Sequence, residues 1–328
     1  MKFLARVVLG IVGVIVVGMG LAITLGGPSD ASQPAPASIT EPLVKFAKTE
    51  LSDLPPTSYF VARDGTKLAY RAYHPIETKP LGSIVLLHGI SVNKRVMHVL
   101  AKSFAAAGFT AYALDIRGHG ESGELGHIAY LGQLDDDMED FVRSVNPASP
   151  VTLAGYSMSG GLALRIAGSA RRQLFDNYLL LAPSIGPDAP TLRRDAVGWE
   201  SIGKPRFIAI ALLDTVGVHA FDDLPVLRLP STEDAKKSHL TSTYSFALAV
   251  NCFPERGDYR AAIRTVDRPL RVVVGRDDEL FYADRYAEVF KAEGKDVPVT
   301  VVPGIQHVPL VLEPAPVQAA IEAVRAMD

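Results

Sequence analysis

The chain is poor in the residue types that indicate a disulfide framework, a cysteine-based metal site or a nucleic-acid-binding surface. Cys252 is the single cysteine among 328 residues, so no intrachain disulfide can form. Lysine and arginine number 33 against 36 aspartates and glutamates, and the net charge of −3 argues against a nucleic-acid partner. The zinc-protease, P-loop and dinucleotide motifs are also missing from the sequence. We therefore expect neither a metal nor a cofactor in the reaction.

One long uncharged segment stands out at the N-terminus. Residues 7–25 form a run of 19 residues without a charge, and Lys2 and Arg6 precede it. As a helix this run would span roughly 28 Å, close to the hydrocarbon thickness of a bilayer. We therefore expect residues 1–25 to form an N-terminal transmembrane helix that remains as a membrane anchor. The early positive charges predict a cytoplasmic N-terminus, with the catalytic domain outside the cytoplasm.

Two other interpretations of this segment stay open at the level of sequence. A cleaved signal peptide usually has a shorter apolar region, of about 7–15 residues, and small residues at its cleavage site. Ser29, Asp30 and Ala31 form a poor site of that kind. If cleavage occurred, the protein would be secreted or periplasmic. The remaining interpretation is a buried helix of a globular domain.

The rest of the chain divides into a linker and one large domain. Proline, serine, alanine and glycine dominate residues 26–39, which predicts a flexible linker. In residues 40–328, continuous apolar runs alternate with helical patterns, so we expect an α/β fold with a mostly parallel sheet covered on both faces. The alternation is interrupted between about residues 184 and 268, which predicts a cap inserted over one edge of the sheet. Asp64-Gly65 predicts a β-hairpin near the start of the domain.

The sequence Gly155-Tyr156-Ser157-Met158-Ser159 follows an apolar run and precedes a helical pattern. A tight turn between a strand and a helix presents a serine for attack, and the helix N-terminus offers N–H groups to an anionic intermediate. The turn requires small residues two positions before and after the nucleophile, and Gly155 and Ser159 meet this requirement. Size alone would also permit the same motif to be centred on Ser159, with Ser159 as the nucleophile. Because the apolar run ends just before the turn, we predict Ser157 as the nucleophile.

The oxyanion hole is predicted from two positions. His88-Gly89 ends an earlier apolar strand, where a second N–H donor to the oxyanion is expected. The backbone N–H groups of Ile90 and Met158 are therefore the predicted donors. We interpret His88 as a structural histidine that lies beneath the oxyanion loop.

The general base and its orienting acid are predicted from the C-terminal part of the chain. His307 lies in the loop after the last apolar run, in the position of a general base. Residues 277–279 are three successive acids after the preceding apolar run, and each of them could orient His307. The order serine, acid, histidine along the chain is that of α/β-hydrolases.

The chain resembles the α/β-hydrolase superfamily, and within it the lysophospholipase and monoglyceride-lipase-like branch, which is also grouped with serine aminopeptidases. The matching pieces are HGI (88–90), DIRGHGESG (115–123), GYSMSGG (155–161), GRDDELF (275–281) and GIQH (304–307). They cover the chain from about residue 58 to the C-terminus. No specific motif of the family falls in the N-terminal segment, the linker or the cap. The resemblance implies an α/β-hydrolase fold. It also implies Asp278 as the triad acid, because the family's acid falls three residues after the glycine that ends the strand.

Together these features predict a serine hydrolase that cleaves carboxylic esters through a triad of Ser157, His307 and Asp278 and an acyl-enzyme. The apolar cap segment 206–221 would suit an acyl chain. We therefore expect a lipid-like ester, of the monoacylglycerol or lysophospholipid type, as the substrate. The alternative is ordinary burial of that segment in the cap.

Two further functions stay open. A peptidase of the proline-iminopeptidase kind would have a similar core and would need acidic cap residues to hold a free amine. Glu200, Asp222 and Asp223 are the candidates for that role. The other possibility is a catalytically silent hydrolase fold that serves as a membrane-attached binding module.

Overall fold

The computed structural model describes residues 2–30, 33–48, 51–76, 79–194, 199–230 and 239–327. Within these residues one large sheet has the strands β1 Ser58–Val61, β2 Lys67–Tyr73, β3 Ser83–Leu87, β4 Thr110–Leu114, β5 Val151–Tyr156, β6 Asn177–Leu181, β10 Leu270–Gly275 and β11 Val299–Val302. Their spatial order is β1-β2-β4-β3-β5-β6-β10-β11. The hairpin of β1 and β2 and the pair of β2 and β4 are antiparallel, whereas all other neighbours are parallel. The predicted hairpin and mostly parallel sheet are confirmed.

Helices cover this sheet, which explains why its central strands are apolar throughout. The helices of this layer are α3 His98–Ala106, α4 Gln133–Val145, α5 Met158–Ala167, α9 Arg285–Ala292 and α10 Pro314–Arg325. The α3 helix contacts β4, α5 contacts β5 and β6, α10 contacts β10, and α4 contacts β1. Every residue of β3, β4, β5 and β6 is buried. Burial on both faces favours continuous apolar runs over the alternating pattern of a sheet with one wet face.

The interval between β6 and β10 is the segment predicted as a cap, and it is called the cap below. Its elements are β7 Ser201–Ile202, α6 Lys204–Asp214, β8 Pro225–Arg228, β9 Thr243–Ser245, α7 Phe246–Asn251 and α8 Tyr259–Thr265. The three strands form a small antiparallel sheet in the order β7-β8-β9, and a separate apolar cluster of Ile210, Val226 and Phe246 supports it. Residues 195–198 and 231–238 of the predicted cap lie outside the described residues.

The α6 helix is apolar on two sides, and only one of them is buried. Ala209 and Ile210 are buried on the cap side. Ile208 and Leu212 are 58% and 56% exposed. Complete burial therefore does not explain the apolar character of segment 206–221.

The N-terminal segment forms the helix α1, Lys2–Leu25, and a second helix, α2, covers Ala37–Lys48 and begins inside the predicted linker. Across the described residues, no helix combines the length and apolar character that crossing a membrane requires. The predicted transmembrane helix over residues 1–25 is therefore not supported. The location of the catalytic domain outside the cytoplasm stays a prediction.

The last turn of α1 is joined to the cap. Ile23 is buried. The guanidinium of Arg206, on α6, donates to the carbonyl oxygens of Ile23 at 2.7 Å and Thr24 at 3.1 Å. These carbonyls belong to the last turn of α1, where no further helical N–H is available to them. Arg206 thus caps α1 and fixes its end to the cap.

Candidate active site

Ser157 occupies the turn between β5 and α5 and has an unusual backbone conformation. Its φ of 56° and ψ of −117° place a residue with a Cβ in a region that normally costs energy. Three hydrogen bonds hold the turn: Ser157 N donates to Leu181 O at 2.8 Å, and Ser157 O accepts from Gly160 N and Ser184 N at 2.9 Å each. The turn therefore presents Ser157 at the carboxyl end of the sheet, as expected for a serine in a tight turn between a strand and a helix. Residues 155–159 are called the elbow motif below.

The flanking small residues explain why Ser157 and not Ser159 faces the base. A Cβ placed on Gly155 would lie 2.1 Å from Ser159 O, so the strand and the helix can approach only with glycine at this position. The Ser159 hydroxyl donates to the backbone carbonyl of His88 beneath the turn. Ser159 is thus held in a structural hydrogen bond, whereas Ser157 is directed towards His307.

Ser157, His307 and Asp278 form one continuous line of hydrogen bonds. His307 Nε2 lies 2.9 Å from Ser157 Oγ, and His307 Nδ1 lies 2.8 Å from Asp278 Oδ2. The other carboxylate oxygen of Asp278 accepts from the N–H groups of Leu280 and Phe281, each at 2.9 Å. These two bonds orient the carboxylate, which accepts a hydrogen bond from Nδ1–H of His307, so that Nε2 faces the Ser157 hydroxyl as an acceptor.

The carboxylates of the two acids beside Asp278 have no described contact with the His307 ring. Asp277 is exposed. Glu279 Oε2 accepts from the backbone N–H of His307 at 2.9 Å. The sequence left all three acids open as partners of the His307 side chain, and the bond from the His307 backbone to Glu279 was not predicted from it. Among the three acids, the structure brings the carboxylate of Asp278 to the imidazole.

Tyr156, directly before Ser157, also holds the base. Its hydroxyl donates to the backbone carbonyl of His307 at 3.1 Å. Its ring stacks on the His307 ring, with 5.1 Å between ring centroids and 27° between the planes. The strand that positions the serine thus also positions the histidine. The only signal in the sequence was the place of Tyr156 within the elbow motif.

The three side chains are shielded from water. Ser157 is 6% exposed, His307 4% and Asp278 1%. Hydrogen bonds to charged groups are stronger where water is excluded, because less solvent screens them. The geometry therefore suits proton transfer between Ser157 and His307 during an attack on an acyl group.

The loop after β3, which carries Gly89 and Ile90, passes close to the serine turn. A Cβ on Gly89 would lie 3.2 Å from Ser157 Cβ, which shows how close the two turns are. Met158 is the first residue of α5, where an N–H has no partner inside the helix. In the part of the chain that the structure describes, neither Ile90 N nor Met158 N donates to another residue. Both N–H groups are available to an oxyanion.

A residue of the cap holds this oxyanion loop. Ser91 has a φ of 66°, and its N–H donates to the hydroxyl of Tyr244 at 2.7 Å. The same hydroxyl lies 2.8 Å from His119 Nε2. Tyr244 belongs to β9, which is more than 150 residues from Ser91 in the sequence. Because no local motif marks Tyr244, it was not predicted from the sequence.

His88 and His119 lie beneath the loop as neutral, buried histidines. His88 Nδ1 is 2.8 Å from Gly89 O, and His88 Nε2 accepts from Ile116 N at 3.2 Å. Burial lowers the pKa of His88 to about 4 and that of His119 to about 3, because desolvation disfavours the charged imidazole. The prediction that His88 is structural is confirmed, since both of its ring nitrogens contact backbone groups.

Known proteins resemble this chain in sequence and in fold. The family model described as serine aminopeptidase, S33, matches residues 78–315. A monoacylglycerol lipase of Mycolicibacterium smegmatis is 30% identical, over 76% of this chain and 88% of that protein. The family match therefore covers the strands from β3 to β11, the cap and the residues described at the site.

Solved structures agree with the fold. A soluble variant of monoglyceride lipase from Saccharomyces cerevisiae, in complex with a substrate analogue, superposes with a TM-score of 0.63 at 19% identity and covers 86% of this chain and 96% of that one. The monoacylglycerol lipase of Paleococcus ferrophilus superposes with a TM-score of 0.56 at 18% identity and covers 78% and 99%. At these identities the likeness shows the α/β-hydrolase fold alone. Together with the family match and the sequence relative, it establishes that the chain belongs to the serine aminopeptidase S33 family, as a serine ester hydrolase of the monoglyceride-lipase-like branch of the α/β-hydrolases.

Proposed function

We propose that the protein hydrolyses carboxylic esters through an acyl-enzyme on Ser157, with His307 as general base and Asp278 as the residue that orients His307. The observation that carries this proposal is the line of hydrogen bonds from Ser157 Oγ through His307 to Asp278, at 2.9 and 2.8 Å. A nucleophile, a base and an orienting carboxylate in hydrogen-bond contact form the arrangement that activates a serine.

The reaction takes two steps. Ser157 Oγ attacks the ester carbonyl carbon while His307 Nε2 takes the serine proton, and a tetrahedral intermediate forms. His307 then gives this proton to the leaving alkoxide, so the alcohol departs and the acyl-enzyme remains. A water molecule attacks the acyl-enzyme with the same proton transfers, which releases the acid and restores Ser157.

The negative charge of the tetrahedral intermediate needs donors that are already in place. The N–H groups of Ile90 and Met158 supply them in this proposal, because both lie beside Ser157 and donate to no other described residue. A single oxyanion donor typically contributes about 2.7–4 kcal/mol to the transition state. Tyr244 supports one of the two donors indirectly, since its bond to Ser91 fixes the residue after Ile90.

The proposed substrate is a lipid-like ester, of the monoacylglycerol or lysophospholipid type. The relatives named monoacylglycerol lipase support this class. The cap adds a physical argument: Ile208, Leu212 and Val216 are all more than half exposed and follow one another at four-residue spacing. This spacing places Ile208 and Leu212 on one side of α6, with Val216 just beyond its end. An apolar stripe on the cap favours substrates with an acyl chain over small soluble esters.

Two of the cap acids that could hold the free amine of a peptidase substrate have no described contact with the triad. Asp222 contacts His219 at 3.1 Å. Asp223 is exposed. Neither has a described contact with Ser157 or His307. No particular observation therefore favours the peptidase over the esterase.

A fluorophosphonate probe tests the proposed nucleophile on the full chain. The parent and Ser159→Ala should be labelled, whereas Ser157→Ala should lose labelling completely. Ser159→Ala is the matched control, since it removes a hydroxyl two residues away in the same turn. Labelling that survives in Ser157→Ala but not in Ser159→Ala would move the nucleophile to Ser159, and a folded parent that never reacts would contradict the hydrolase proposal.

A panel of esters tests the substrate class in the same proteins. Monoacylglycerols and lysophospholipids of medium and long acyl chains should give a higher kcat/KM than acetate esters of the same alcohols. Aminoacyl and prolyl naphthylamides serve as the peptidase comparison. A preference for these amides, or for acetate esters, would contradict a lipid-like substrate while leaving Ser157 as the nucleophile.

A further inference from the structure

Outside the active site, three side chains of the cap meet in an arrangement that the reaction does not use. Asp214 ends α6, His219 lies in the following turn, and Asp222 lies just before β8. One potential ligand atom from each lies within 4.8 Å of the others. His219 Nδ1 is 2.8 Å from Asp214 Oδ1 and 3.1 Å from Asp222 Oδ2. Two carboxylates thus converge on one imidazole nitrogen.

A single N–H cannot satisfy this group. The contact between His219 Nδ1 and Asp222 Oδ2, at 3.1 Å, is a hydrogen bond, whereas Asp214 Oδ1 is closer to the nitrogen, at 2.8 Å, but outside hydrogen-bond geometry. Asp214 Oδ1 and Asp222 Oδ1 are both buried and have no hydrogen-bond partner among the described residues. A buried carboxylate oxygen without a donor costs free energy, so the arrangement calls for a further positive group.

The burial of Asp222 makes this need stronger. Its side chain is 8% exposed, and its backbone is fixed by a bond from Ala247 N to Asp222 O at 2.8 Å. Within the described residues, neither Asp214 nor Asp222 pairs with a lysine or an arginine. His219, by contrast, is 58% exposed and leaves one side of the group open to solvent. A small cation could therefore reach the carboxylates from that side.

We propose that Asp214, His219 and Asp222 form a binding site for a divalent transition-metal ion in the cap, with Zn²⁺ as the best-matched ion. One imidazole nitrogen and two carboxylate oxygens are ligands that Zn²⁺ accepts, whereas Ca²⁺ and Mg²⁺ prefer oxygen alone. The ion takes the place of the Nδ1 proton, so that His219 binds as a neutral ligand. Water completes the coordination on the exposed side.

The site would join two elements of the cap. Asp214 is the last residue of α6, and Asp222 precedes β8 and is bonded to Ala247 of α7. A bound ion therefore closes the turn between α6 and β8 and holds α6 against the rest of the cap. Because the folded chain alone brings the three ligands together, binding raises the stability of the cap. This role is separate from the ester chemistry and does not depend on it.

Direct binding to the full chain tests the proposal. The protein is first stripped with a chelator, and Zn²⁺ is titrated against a competing chromophoric chelator. We expect one equivalent to bind to the parent, with the affinity lowered at least about 100-fold in His219→Ala and in Asp222→Asn. Co²⁺ in place of Zn²⁺ should give visible-region absorption bands that are absent in His219→Ala. His74→Ala, which removes another exposed histidine, should bind like the parent.

Two checks on the variants locate the bound ion. His219 is exposed, so His219→Ala should fold, and its circular dichroism should match that of the parent. His307→Asn should still bind one equivalent of Zn²⁺, which would place the ion away from the active site. No stoichiometric binding by the parent would overturn the proposal and leave the group as a histidine that contacts two carboxylates. Binding that survives in His219→Ala would overturn it as well.

Discussion

At the scale of single residues, the site depends on backbone positions that only the surrounding structure can hold. Ser157 adopts φ 56° and ψ −117°, a conformation that costs about 1–3 kcal/mol for a residue with a side chain. Hydrogen bonds to Leu181, Gly160 and Ser184 offset that cost. Ser91, in the oxyanion loop, also has a positive φ, and the hydroxyl of Tyr244 accepts its N–H.

Tyr244→Phe should weaken catalysis without unfolding the protein. The variant keeps the ring but leaves the N–H of Ser91 without its acceptor, so the loop that carries Ile90 loses its fixed position. A lost hydrogen bond is worth about 1–2 kcal/mol here, and we expect kcat to fall roughly 5–30-fold while KM changes little. Steady-state kinetics on a monoacylglycerol measure the two constants separately.

Tyr178→Phe is the control for that variant. Tyr178 is also buried, and its hydroxyl donates to Arg172 O at 3.0 Å, a group with no described contact to the triad. Its kcat should match that of the parent. Equal losses in both variants would show a general effect of removing a buried hydroxyl and would contradict a positioning role for Tyr244.

At the scale of elements, α4 shows how charge fixes a helix on this sheet. The structure buries most of its acidic residues against arginines from other elements. Arg117 lies in the loop after β4 and pairs with Asp137 at 2.7 Å. Burial raises the pKa of Asp137 to about 6, and the Arg117 guanidinium opposes that shift. The buried acids of α4 pair as follows: Asp135 with Arg165, Asp136 with Arg63 and Arg171, Asp137 with Arg117, and Asp140 with Arg63.

Arg117→Met should destabilise the protein strongly. The substitution leaves Asp137 buried without its partner, and breaking a buried pair in this way costs about 3–5 kcal/mol. The free energy of unfolding in urea measures the loss. Arg117→Met with Asp137→Leu should regain most of it, because the buried carboxylate is removed with its partner and the second acid that pairs with Arg117, Asp64, is partly exposed to water.

An exposed arginine on the same helix provides the comparison. The Arg143 side chain is 68% exposed and pairs with Glu139 at 2.8 Å. Arg143→Met should change the stability by no more than about 0.5–1 kcal/mol, as is usual for exposed pairs. If Arg117→Met were equally mild, the pairing with Asp137 would not stabilise α4.

The same elements show what a sequence can and cannot predict. The central strands were predictable because burial on both faces demands unbroken apolar runs, and Ser157 follows directly after such a strand. His307 lies in the loop after the partly exposed strand β11. The arginine partners of α4 could not be predicted, because they lie elsewhere in the sequence and no periodicity links them to the helix. Tyr244 lies in the cap, where neither pattern nor motif indicated a contact with the oxyanion loop.

At the scale of the whole molecule, the hydrolase domain, the cap and the N-terminal helix are connected by specific polar contacts. Arg206 joins the end of α1 to α6. Tyr244 joins the cap to the oxyanion loop and to the buried His119. His119 in turn lies against His88, with 5.0 Å between ring centroids. Two neutral histidines are therefore buried where the cap meets the sheet.

These histidines should make the fold sensitive to acid. The pKa of each is lowered from 6.5, to about 4 for His88 and about 3 for His119. Below about pH 6.5 the unfolded chain therefore binds protons that the folded chain does not, so the free energy of unfolding falls as the pH decreases. The fall ends only below the folded pKa values. From pH 7 to pH 5 we expect a loss of roughly 2 kcal/mol for each histidine.

Urea unfolding at pH 7, 6 and 5 checks this expectation. Over that range His119→Gln should lose roughly 2 kcal/mol less stability than the parent, since one titrating group is gone. Asp137, whose raised pKa acts in the opposite direction, is common to both proteins and cancels in the comparison. Parallel pH profiles of the parent and His119→Gln would contradict the expectation.

The bond from Ser91 to Tyr244 also has a consequence for engineering. Caps are natural units to exchange when a hydrolase of this family is to accept a different acid or alcohol. A grafted cap without a phenol at the position of Tyr244 would leave the Ser91 N–H without its acceptor, whatever pocket it created. Such chimaeras would then be slow on every substrate, and their low rates would be mistaken for poor substrate fit. A cap library for this scaffold should therefore keep Tyr244 constant and vary the residues around it.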